Sequence, residues 1–296
     1  MKCHKTIRRF LKEKFGEQVL KIPVNADFSC PNKENGKNGC IFCDNVSFSP
    51  VALNTETVVS QFCRKRDKIK HKFNLFMPYL QPNTNTYALP EKLREIYEPL
   101  LIQDGVVGLA VGTRPDAICD KTINYLSSIN TRTYLSLELG LQSANNKTLE
   151  LINRGHSAEC FAETAEKLAK KSIEIVAHVM LGLPKETKND MINTAKFISD
   201  LPISGVKIHQ LMIIKGTPLE KLNVSVFTLE QYCEILTEFL RNLRSDIIIH
   251  RLMADSMPQN GLVAPLWSAQ KAESLEYIKS ILYGAHQLEQ RKVEVQ

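Results

Sequence analysis

Short apolar runs alternate with longer amphipathic stretches along most of this chain. Several runs are apolar almost throughout, which is typical of parallel strands covered on both faces. These runs predict strands over residues 21–28, 72–80, 105–112, 133–140, 173–181 and 205–213. The repeated succession of strand, helix and strand indicates parallel βα units with right-handed crossovers.

The stretches between the strands carry residues that favour helix ends. A polar side chain before a helix can accept hydrogen bonds from free N–H groups, and proline suits the first turn. Helices are therefore predicted to begin near Asn54, Pro90, Asn145 and Ser157, with capping boxes at Thr187–Asp190 and Thr228–Gln231. Gly155 is expected to end the helix that begins at Asn145.

Two closures of such a sheet are compatible with the pattern, an open doubly wound sheet and a barrel. No G-x-G-x-x-G motif follows the first predicted strand, which disfavours the dinucleotide-binding open sheet. The βα units are too few for a complete eight-fold barrel. The sequence therefore favours an α/β fold with a partial (β/α)6 barrel of the TIM type.

The pattern changes after residue 216. A helix (228–243), a strand (246–252) and a further helix (268–283) are predicted there. We expect three parts, a basic N-terminal arm at 1–20, a core barrel at 21–225 and a small C-terminal α/β extension at 226–296.

The net charge of +6 is unevenly distributed. Residues 1–14 carry six Lys or Arg and one acidic residue, and residues 61–72 carry the same numbers. Together these stretches contribute +10, so the rest of the chain has a net charge of −4. A surface this basic can attract a polyanion, such as a structured RNA like tRNA, but two solvated helix faces would give the same pattern.

The location of the protein follows from what the sequence lacks. No apolar run reaches the roughly 18 residues of a membrane span, and the N-terminus has no apolar core of a secretory signal. We therefore expect a cytoplasmic protein with no membrane partner, in which thiols stay reduced. Five of the eight cysteines are scattered singly, as buried or inert structural thiols are: Cys3, Cys63, Cys119, Cys160 and Cys233.

The other three cysteines, Cys30, Cys40 and Cys43, form a C-x9-C-x2-C motif in a polar loop after the first predicted strand. A disulfide uses two thiols and a structural zinc usually uses four ligands, so three thiols indicate a metal site with an open position. A zinc ion or a [4Fe-4S] cluster would both suit such a motif. Loops that follow strands in βα folds lie at the functional end of the sheet.

This loop resembles that of the radical S-adenosylmethionine (radical SAM) enzymes. The usual spacing in that family is C-x3-C-x2-C, and the longer spacing is similar to the elongator-complex radical SAM subunit and its bacterial relatives. The similarity is closer still to the YhcC-type bacterial proteins. It extends in family order across residues 15–225 and into a C-terminal "VAPLW", through "FSCPNKENGKNGCIFC", "TNTYALP", "VVGLAVGTRPD", "LELGLQSANNKTLELINRGH", "AHVMLGLPKET" and "IHQLMIIKGTPLEKL".

The resemblance implies an enzyme with two cofactors. Cys30, Cys40 and Cys43 would hold a [4Fe-4S] cluster whose free iron binds SAM. Reductive cleavage of SAM would give methionine and a 5′-deoxyadenosyl radical, which takes a hydrogen atom from a substrate. An external electron donor of the flavodoxin or ferredoxin type is expected as a partner. The elongator relatives modify tRNA, but the sequence itself does not identify the substrate or the residues that act on it.

The resemblance also implies residues that contact SAM. Phe42, between the paired thiols, matches an aromatic residue that flanks adenine. Glu138 is expected at the ribose or amino end of SAM, with Gln142 beside it. Arg154 is expected at the carboxylate, which a guanidinium can hold with two parallel bonds. Gly182 would let the backbone approach adenine.

The resemblance is incomplete after the second strand. Family members usually carry a Gly-Gly-Glu there, which receives the amino group of SAM, whereas this chain has Thr84, Asn85 and Thr86. Their side chains could supply acceptors or could simply form a turn. Three further residues are compatible with either a site or a structural role: Arg114, His178 and His209.

Two rival functions remain compatible with the motif. One is a SAM-dependent transferase with a structural zinc, and the other is a non-enzymatic zinc-bearing RNA-binding module. In either case Cys63 or His4 could complete a zinc knuckle as the fourth ligand. Polar residues at several strand ends favour a catalytic site over both rivals.

Overall fold

Residues 4–34 and 36–284, which the computed structural model describes, contain a curled sheet of seven parallel strands. In chain order these are β1 (Val19–Val24), β2 (Leu75–Leu80), β3 (Gly108–Thr113), β4 (Tyr134–Gln142), β5 (Glu174–Leu181), β6 (Gly205–Gln210) and, after a short β7 (Ile213–Ile214), β8 (Ile248–Arg251). Their order in the sheet is β1-β2-β3-β4-β5-β6-β8. The sheet curls into a half-barrel, which confirms the predicted partial barrel.

Helices connect successive strands, and most of them cover the outer face of the sheet. They are α1 (Ile7–Phe15), α2 (Asn45–Phe48), α3 (Val58–Ile69), α4 (Pro90–Leu101), α5 (Asp120–Asn130), α6 (Asn146–Leu151), α7 (Ala158–Ala169), α8 (Lys188–Ser199), α9 (Leu229–Asn242) and α10 (Lys271–Tyr283). A final strand, β9 (Leu262–Ala264), pairs antiparallel with β7. None of the described helices is long and apolar enough to cross a bilayer.

The predicted helix starts are mostly confirmed. Asn145 and Ser157 cap α6 and α7, and Pro90 occupies the first turn of α4. Both predicted capping boxes are present, at Thr187–Asp190 before α8 and at Thr228–Gln231 before α9. These signals depend only on neighbours in the chain, so the sequence reveals them directly.

Two helix boundaries differ from the prediction. Thr57, and not Asn54, caps α3, because the Asn54 side chain accepts a hydrogen bond from the Glu56 N–H in a local turn instead. The helix that begins after Asn145 ends at Leu151, before the expected Gly155. Asn153 then adopts a left-handed φ of 53°, which starts a turn ahead of the glycine.

The seventh strand of the sheet comes from the segment that was expected to form a C-terminal extension packed on the barrel. The strand predicted over 246–252 is β8, which pairs in parallel with β6. The sheet therefore continues past residue 225 and gains one strand over the predicted six βα units. Residues of β8 face the same interior as residues of β1 to β6.

The two faces of the sheet differ in character, as β4 shows. Leu135, Leu137 and Leu139 are fully buried in the large apolar core beneath the helices. Glu138 lies between them in sequence and points to the opposite, concave face, where it meets side chains of four other strands. Alternate residues of a strand point to opposite faces, so the concave side is a polar chamber inside the half-barrel.

The N-terminal segment closes one end of this chamber. Thr6 forms a parallel bridge with Ile249 at β8, and α1 then leads the chain back to β1. The apolar face of α1 places Leu11 against Met77 and Ala110 on the concave side. Two of the basic residues of the predicted arm, Lys5 and Arg9, both pair with Glu13. The outer face of α1 is therefore less positive than the sequence suggests.

Candidate functional site

The three-thiol loop follows β1 at the carboxyl end of the sheet and is tied to neighbouring loops by backbone hydrogen bonds. The Ser29 carbonyl accepts from the Thr84 N–H, after β2. The Ile41 N–H donates to the Ile152 carbonyl, after α6. The loop is thus held against the segments that follow β2 and β4, at the edge where functional loops of parallel sheets meet.

The three thiols share one electrostatic environment. Cys40 is buried, and its Sγ lies 3.5 Å from Asn32 Nδ2 and 3.6 Å from Arg154 Nη1. Burial raises the pKa of the Cys43 thiol, Lys33 opposes this, and the nearby Cys40 and Cys30 raise it further. The charges of Cys30 and Cys40 therefore act on Cys43, and Lys33, Asn32 and Arg154 are close enough to stabilise thiolates in this loop.

The chemistry of the loop is compatible with a bound cluster. In the described part of the chain, no three His, Cys, Asp or Glu side chains already converge as a mononuclear site requires. The thiolates that hold a cluster each bind a different iron, so their sulfurs lie further apart than the ligands of a single ion. The buried Arg154 Nε has no hydrogen-bond partner, which leaves a donor beside Cys40 for a bound group.

The two residues that could complete a zinc knuckle in the rival interpretation lie elsewhere. The His4 ring contacts the Leu240 and Ile247 carbonyls at 3.2 Å, beside β8. Cys63, on α3, donates its thiol hydrogen to Gln103 Oε1 at 3.2 Å. Neither contacts the three-thiol loop, so neither supplies the fourth ligand of the rival zinc knuckle. Cys3 lies outside the described residues.

Arg154 is held at the end of β4 by contacts that leave part of its guanidinium free. Its Nη2 donates to the Gly140 carbonyl at 2.5 Å, and Nη1 faces Cys40. A Cβ at position 140 would lie 2.3 Å from Nη2, so only glycine allows this approach. The structure thus brings Arg154 to the thiol loop, where a SAM carboxylate was expected.

Arg114 supports Arg154 from the end of β3. Its Nη1 donates to the Arg154 carbonyl at 2.9 Å, and it pairs with Asp116 through two bonds of 2.9 and 2.8 Å. Burial opposes ionisation of Asp116, but the guanidinium holds its pKa below the usual value. Burial and the Arg154 charge lower the pKa of the adjacent His156 to about 4, so this imidazole is neutral at pH 7. Arg114 is therefore a structural support for Arg154.

The Thr84, Asn85 and Thr86 side chains are buried at the end of β2. Asn85 Nδ2 donates to the carbonyls of Leu80, Pro82 and Gly112, and Thr86 Oγ1 lies 2.6 Å from Thr113 Oγ1. These bonds tie the loop to β3, as the turn-forming alternative predicts. The buried Asn85 Oδ1 has no partner, so it remains as one acceptor for an ammonium group.

The remaining predicted SAM contacts have local structural explanations. Phe42 is buried in the main apolar core, and Gln142 has a left-handed φ of 77° at the end of β4. Gly182 has a φ of 86°, and a Cβ there would lie 2.9 Å from the Phe227 ring. Packing against Phe227 is thus enough to require glycine. The SAM roles of Phe42, Gln142 and Gly182 stay predictions.

Glu138 lies at the centre of the polar chamber, with only 1% of its side chain exposed. Its Oε1 accepts from Lys21 Nζ at 2.9 Å. Its Oε2 accepts from Tyr79 OH at 2.6 Å, and lies 2.8 Å from both His178 Nε2 and Lys207 Nζ. Both oxygens are therefore occupied by protein donors, and the expected SAM contact of Glu138 stays a prediction.

The cluster around Glu138 is strongly coupled. Burial opposes ionisation of Glu138, but Lys207 and Lys21 hold its pKa well below the usual value. Burial lowers the pKa of Lys207 to about 8 and that of His178 to about 4. At pH 7 the cluster therefore combines one carboxylate with two ammonium groups, while His178 is neutral.

Sequence reasoning missed the contribution of β8 to the chamber. His250 packs over Gly205, whose added Cβ would lie 2.7 Å from His250 Nε2. Burial lowers the pKa of Arg251, and the charges of Asp255 and Glu138 oppose that shift. In the sequence, His250 and Arg251 are two polar residues at the end of an apolar run. Only the pairing of β8 with β6 shows that they belong to the chamber. His209 also lies in the chamber, with its ring 5.7 Å from that of His178.

Comparison with known families agrees with these observations. The model described as the radical SAM superfamily matches residues 34–198, and the radical SAM C-terminal domain model matches residues 203–283. An archaeal Methanocaldococcus infernus Elp3 structure with an N-terminal deletion is similar in fold, with a TM-score of 0.64 and 19% identity over 88% of this chain. The chain spans 63% of that structure.

Relatives are similar along nearly the whole chain. YtqA of Bacillus subtilis is 37% identical over 290 residues, which cover 95% of this chain and 90% of YtqA. YhcC of Escherichia coli is 32% identical over 277 residues, which cover 90% of this chain and 89% of YhcC. A shorter segment of 123 residues, 39% of this chain, is 30% identical to 22% of the tRNA uridine(34) acetyltransferase of Methanocaldococcus infernus.

These matches confirm the predicted resemblance. They also confirm the predicted cofactors, a [4Fe-4S] cluster and SAM, as those of the family. The chain is therefore an enzyme that belongs to the radical SAM superfamily.

Proposed function

We propose that Cys30, Cys40 and Cys43 hold a [4Fe-4S] cluster and that this enzyme cleaves SAM reductively to act on its substrate. The observation that carries the proposal is the contact of Arg154 with Cys40 at the end of β4. This contact brings a guanidinium next to one of the three thiols of the C-x9-C-x2-C motif, at the carboxyl edge of the sheet. Three thiolates leave one iron for SAM, as the family resemblance implies.

The cofactors would supply the hydrogen-abstracting radical, because one electron from the reduced cluster breaks a sulfur–carbon bond of SAM. An external donor of the flavodoxin or ferredoxin type would provide that electron. The protein itself binds and orients. Arg154, with its unpartnered Nε, would hold the SAM carboxylate, and Asn85 Oδ1 would accept from the amino group. Buried Phe42 would help to exclude water from the site.

The second part of the proposal concerns the substrate or a docking partner, which we infer is a structured RNA such as tRNA. Support comes from the partial similarity to the tRNA acetyltransferase and from the two basic stretches. The described residues of these stretches, 4–14 and 61–72, precede β1 and β2, so they lie at the amino end of the sheet, opposite the thiol loop. This geometry suits docking of an RNA better than direct delivery of a nucleotide to the cluster.

The absorption spectrum of anaerobically purified protein tests the first part. We expect a broad iron–sulfur absorption and iron bound to the wild type. Cys40→Ala should lose both, whereas Cys119→Ala, which removes an exposed thiol on another loop, should keep both. Protein that contains zinc alone, or a full cluster in Cys40→Ala, would reject the proposal. Zinc alone would favour the transferase or the RNA-binding module.

A further inference from the structure

The polar chamber carries more positive than negative charge. Lys21, Lys207 and Arg251 surround a single buried carboxylate, Glu138. Lys21 keeps 22% of its side chain exposed and His178 keeps 18%, so solvent reaches this layer. A buried cation is costly unless it is paired, and Glu138 cannot neutralise three of them.

The other acidic groups near the chamber do not remove the excess. Glu174 accepts from Tyr134 OH at 2.5 Å; burial raises its pKa, the Tyr134 hydrogen bond and the charge of Lys21 oppose that rise, and Glu174 offsets at most one positive charge. Asp255 pairs with Lys271 at 3.0 Å, although its charge also reaches Arg251. The chamber therefore retains at least one positive charge that the described residues do not balance.

Two histidines add hydrogen-bonding groups without partners. His209 Nε2 and both ring nitrogens of His250 are buried and make no hydrogen bond. Leaving a buried polar atom unpaired costs roughly 1–3 kcal/mol, so such atoms call for a specific reason. A bound ligand that accepts hydrogen bonds would satisfy these groups and the excess charge together.

We propose that the chamber binds the substrate through an oxyanion, a carboxylate or a phosphate, held by Lys21, Lys207 and Arg251 with His209 and His250. The inference rests on the proposed function, because it makes the chamber the substrate site of the radical enzyme. Lys207 lies three residues before the end of β6, which ends at the same edge as the strand before the thiol loop. An anion bound there is anchored inside the half-barrel, and the rest of the substrate extends towards the cluster.

Binding of simple anions tests the chamber without turnover. Cluster-loaded protein is titrated with inorganic phosphate or with acetate, without reductant and with saturating SAM, so that the SAM carboxylate site is filled. Ionic strength is held constant with chloride, since screening would otherwise change with each addition. Stabilisation against thermal unfolding and the imidazole NMR signals of His209 and His250 report the bound anion.

Lys207→Met and Lys21→Met should each weaken anion binding by at least tenfold. Lys21→Met is the safer variant for folding, since its side chain is nearer to solvent and its loss leaves Glu138 three donors. Lys196→Met, which removes an exposed charge from α8, should leave the affinity unchanged. Tighter binding of phosphate would identify a phosphate-bearing substrate, and tighter binding of acetate a carboxylate.

Iron content and 5′-deoxyadenosine formation are measured in the same preparations. Failure of the anions to bind, or an equal effect of all three lysine variants, overturns the chamber proposal even if SAM is cleaved. Absence of iron from the wild type instead overturns the proposed function. The two failures are therefore distinguishable.

Discussion

Arg154 Nη1 lies 3.6 Å from Cys40 Sγ, while the Nε of the same guanidinium is buried without a partner. The contact joins the residue expected at the SAM carboxylate to a predicted cluster ligand that lies 114 positions earlier in the chain. It depends on Gly140, where any side chain would collide with the guanidinium. The first prediction follows from this arrangement.

Arg154→Ala should weaken SAM binding about ten- to a hundred-fold, because it removes a charge-assisted contact of roughly 1.5–3 kcal/mol. Iron content should be retained, since the three thiols remain. Equilibrium dialysis of SAM against cluster-loaded protein measures the affinity. Arg132→Ala is the matched control, as Arg132 pairs with Glu98 at the opposite end of the sheet. SAM affinity equal to that of the wild type would remove Arg154 from the site.

The sequence reveals those features that depend on neighbouring residues. The C-x2-C pair, the two capping boxes and the caps at Asn145 and Ser157 all involve positions within a few residues of one another. Both Thr57 and Asn54 have side chains that can cap a helix. Thr57 caps α3, because the folded loop directs the Asn54 side chain to the Glu56 N–H. Boundaries of this kind depend on tertiary contacts.

The chamber was not predictable in the same way. Glu138 was noticed as a carboxylate in an apolar strand, but its partners Lys21, Tyr79, His178 and Lys207 lie on four other strands. Only the curl of the sheet brings them together. The addition of β8 to the sheet, which places His250 and Arg251, likewise depends on strand order and not on local pattern.

The second prediction separates two roles of Glu138. If Glu138 binds SAM, Glu138→Gln should weaken SAM binding. The geometry instead predicts unchanged SAM affinity and a less stable fold, because Lys21 and Lys207 would lose their buried counter-charge. Breaking a buried pair on one side costs about 3–5 kcal/mol. Dialysis of SAM and chemical unfolding of the same variant distinguish the two roles.

The pH dependence of that stability provides a check. The folded-state pKa of Glu138 lies well below its usual value of 4.5. Its contribution is therefore fully present above pH 4.5 and is lost as the pH falls below it. Glu138→Gln should flatten this part of the acid side of the stability curve. An acid limb as steep as that of the wild type would contradict the assignment.

The third prediction concerns Glu186, which lies in the loop after β5. Its carboxylate accepts a hydrogen bond from Ser143, which directly follows β4. Burial, with a smaller effect of the Asp190 charge, raises its pKa to about 7. A raised carboxyl pKa means that the folded state binds more protons between pH 4.5 and 7, so wild-type stability falls as the pH rises through that window.

Relative to the wild type, Glu186→Gln should therefore raise the free energy of unfolding more at pH 8 than at pH 5. The difference should be about 1–2 kcal/mol after allowance for partial exposure. Unfolding in urea at both pH values measures the difference. Glu150→Gln removes an exposed carboxylate from α6 and serves as the control. An equal change at pH 5 and pH 8 would show that Glu186 is ionised at both.

The last prediction tests RNA docking at the amino end of the sheet. The outer face of α1 presents Arg8 and Lys12, whereas Lys5 and Arg9 share Glu13. A variant with Lys5, Arg8, Arg9 and Lys12 changed to Glu should lose at least tenfold in tRNA affinity at 0.1 M salt, because it loses phosphate contacts. Each lost contact should also reduce the log–log slope of affinity against salt concentration by about 0.7–0.9.

The control for this prediction reverses the same number of charges at the opposite end of the sheet, at the exposed Lys147, Lys188, Lys215 and Lys221, which follow the carboxyl ends of β4, β5 and β7. Counterion release depends on contacts at the bound surface, so only the α1 variant should change the slope. Filter binding of tRNA across a salt series measures both. If the two variants lose affinity equally, the attraction reflects net charge alone and α1 is not the docking surface. If even the wild type fails to bind, tRNA is excluded, and an anionic small molecule or a protein becomes the better substrate.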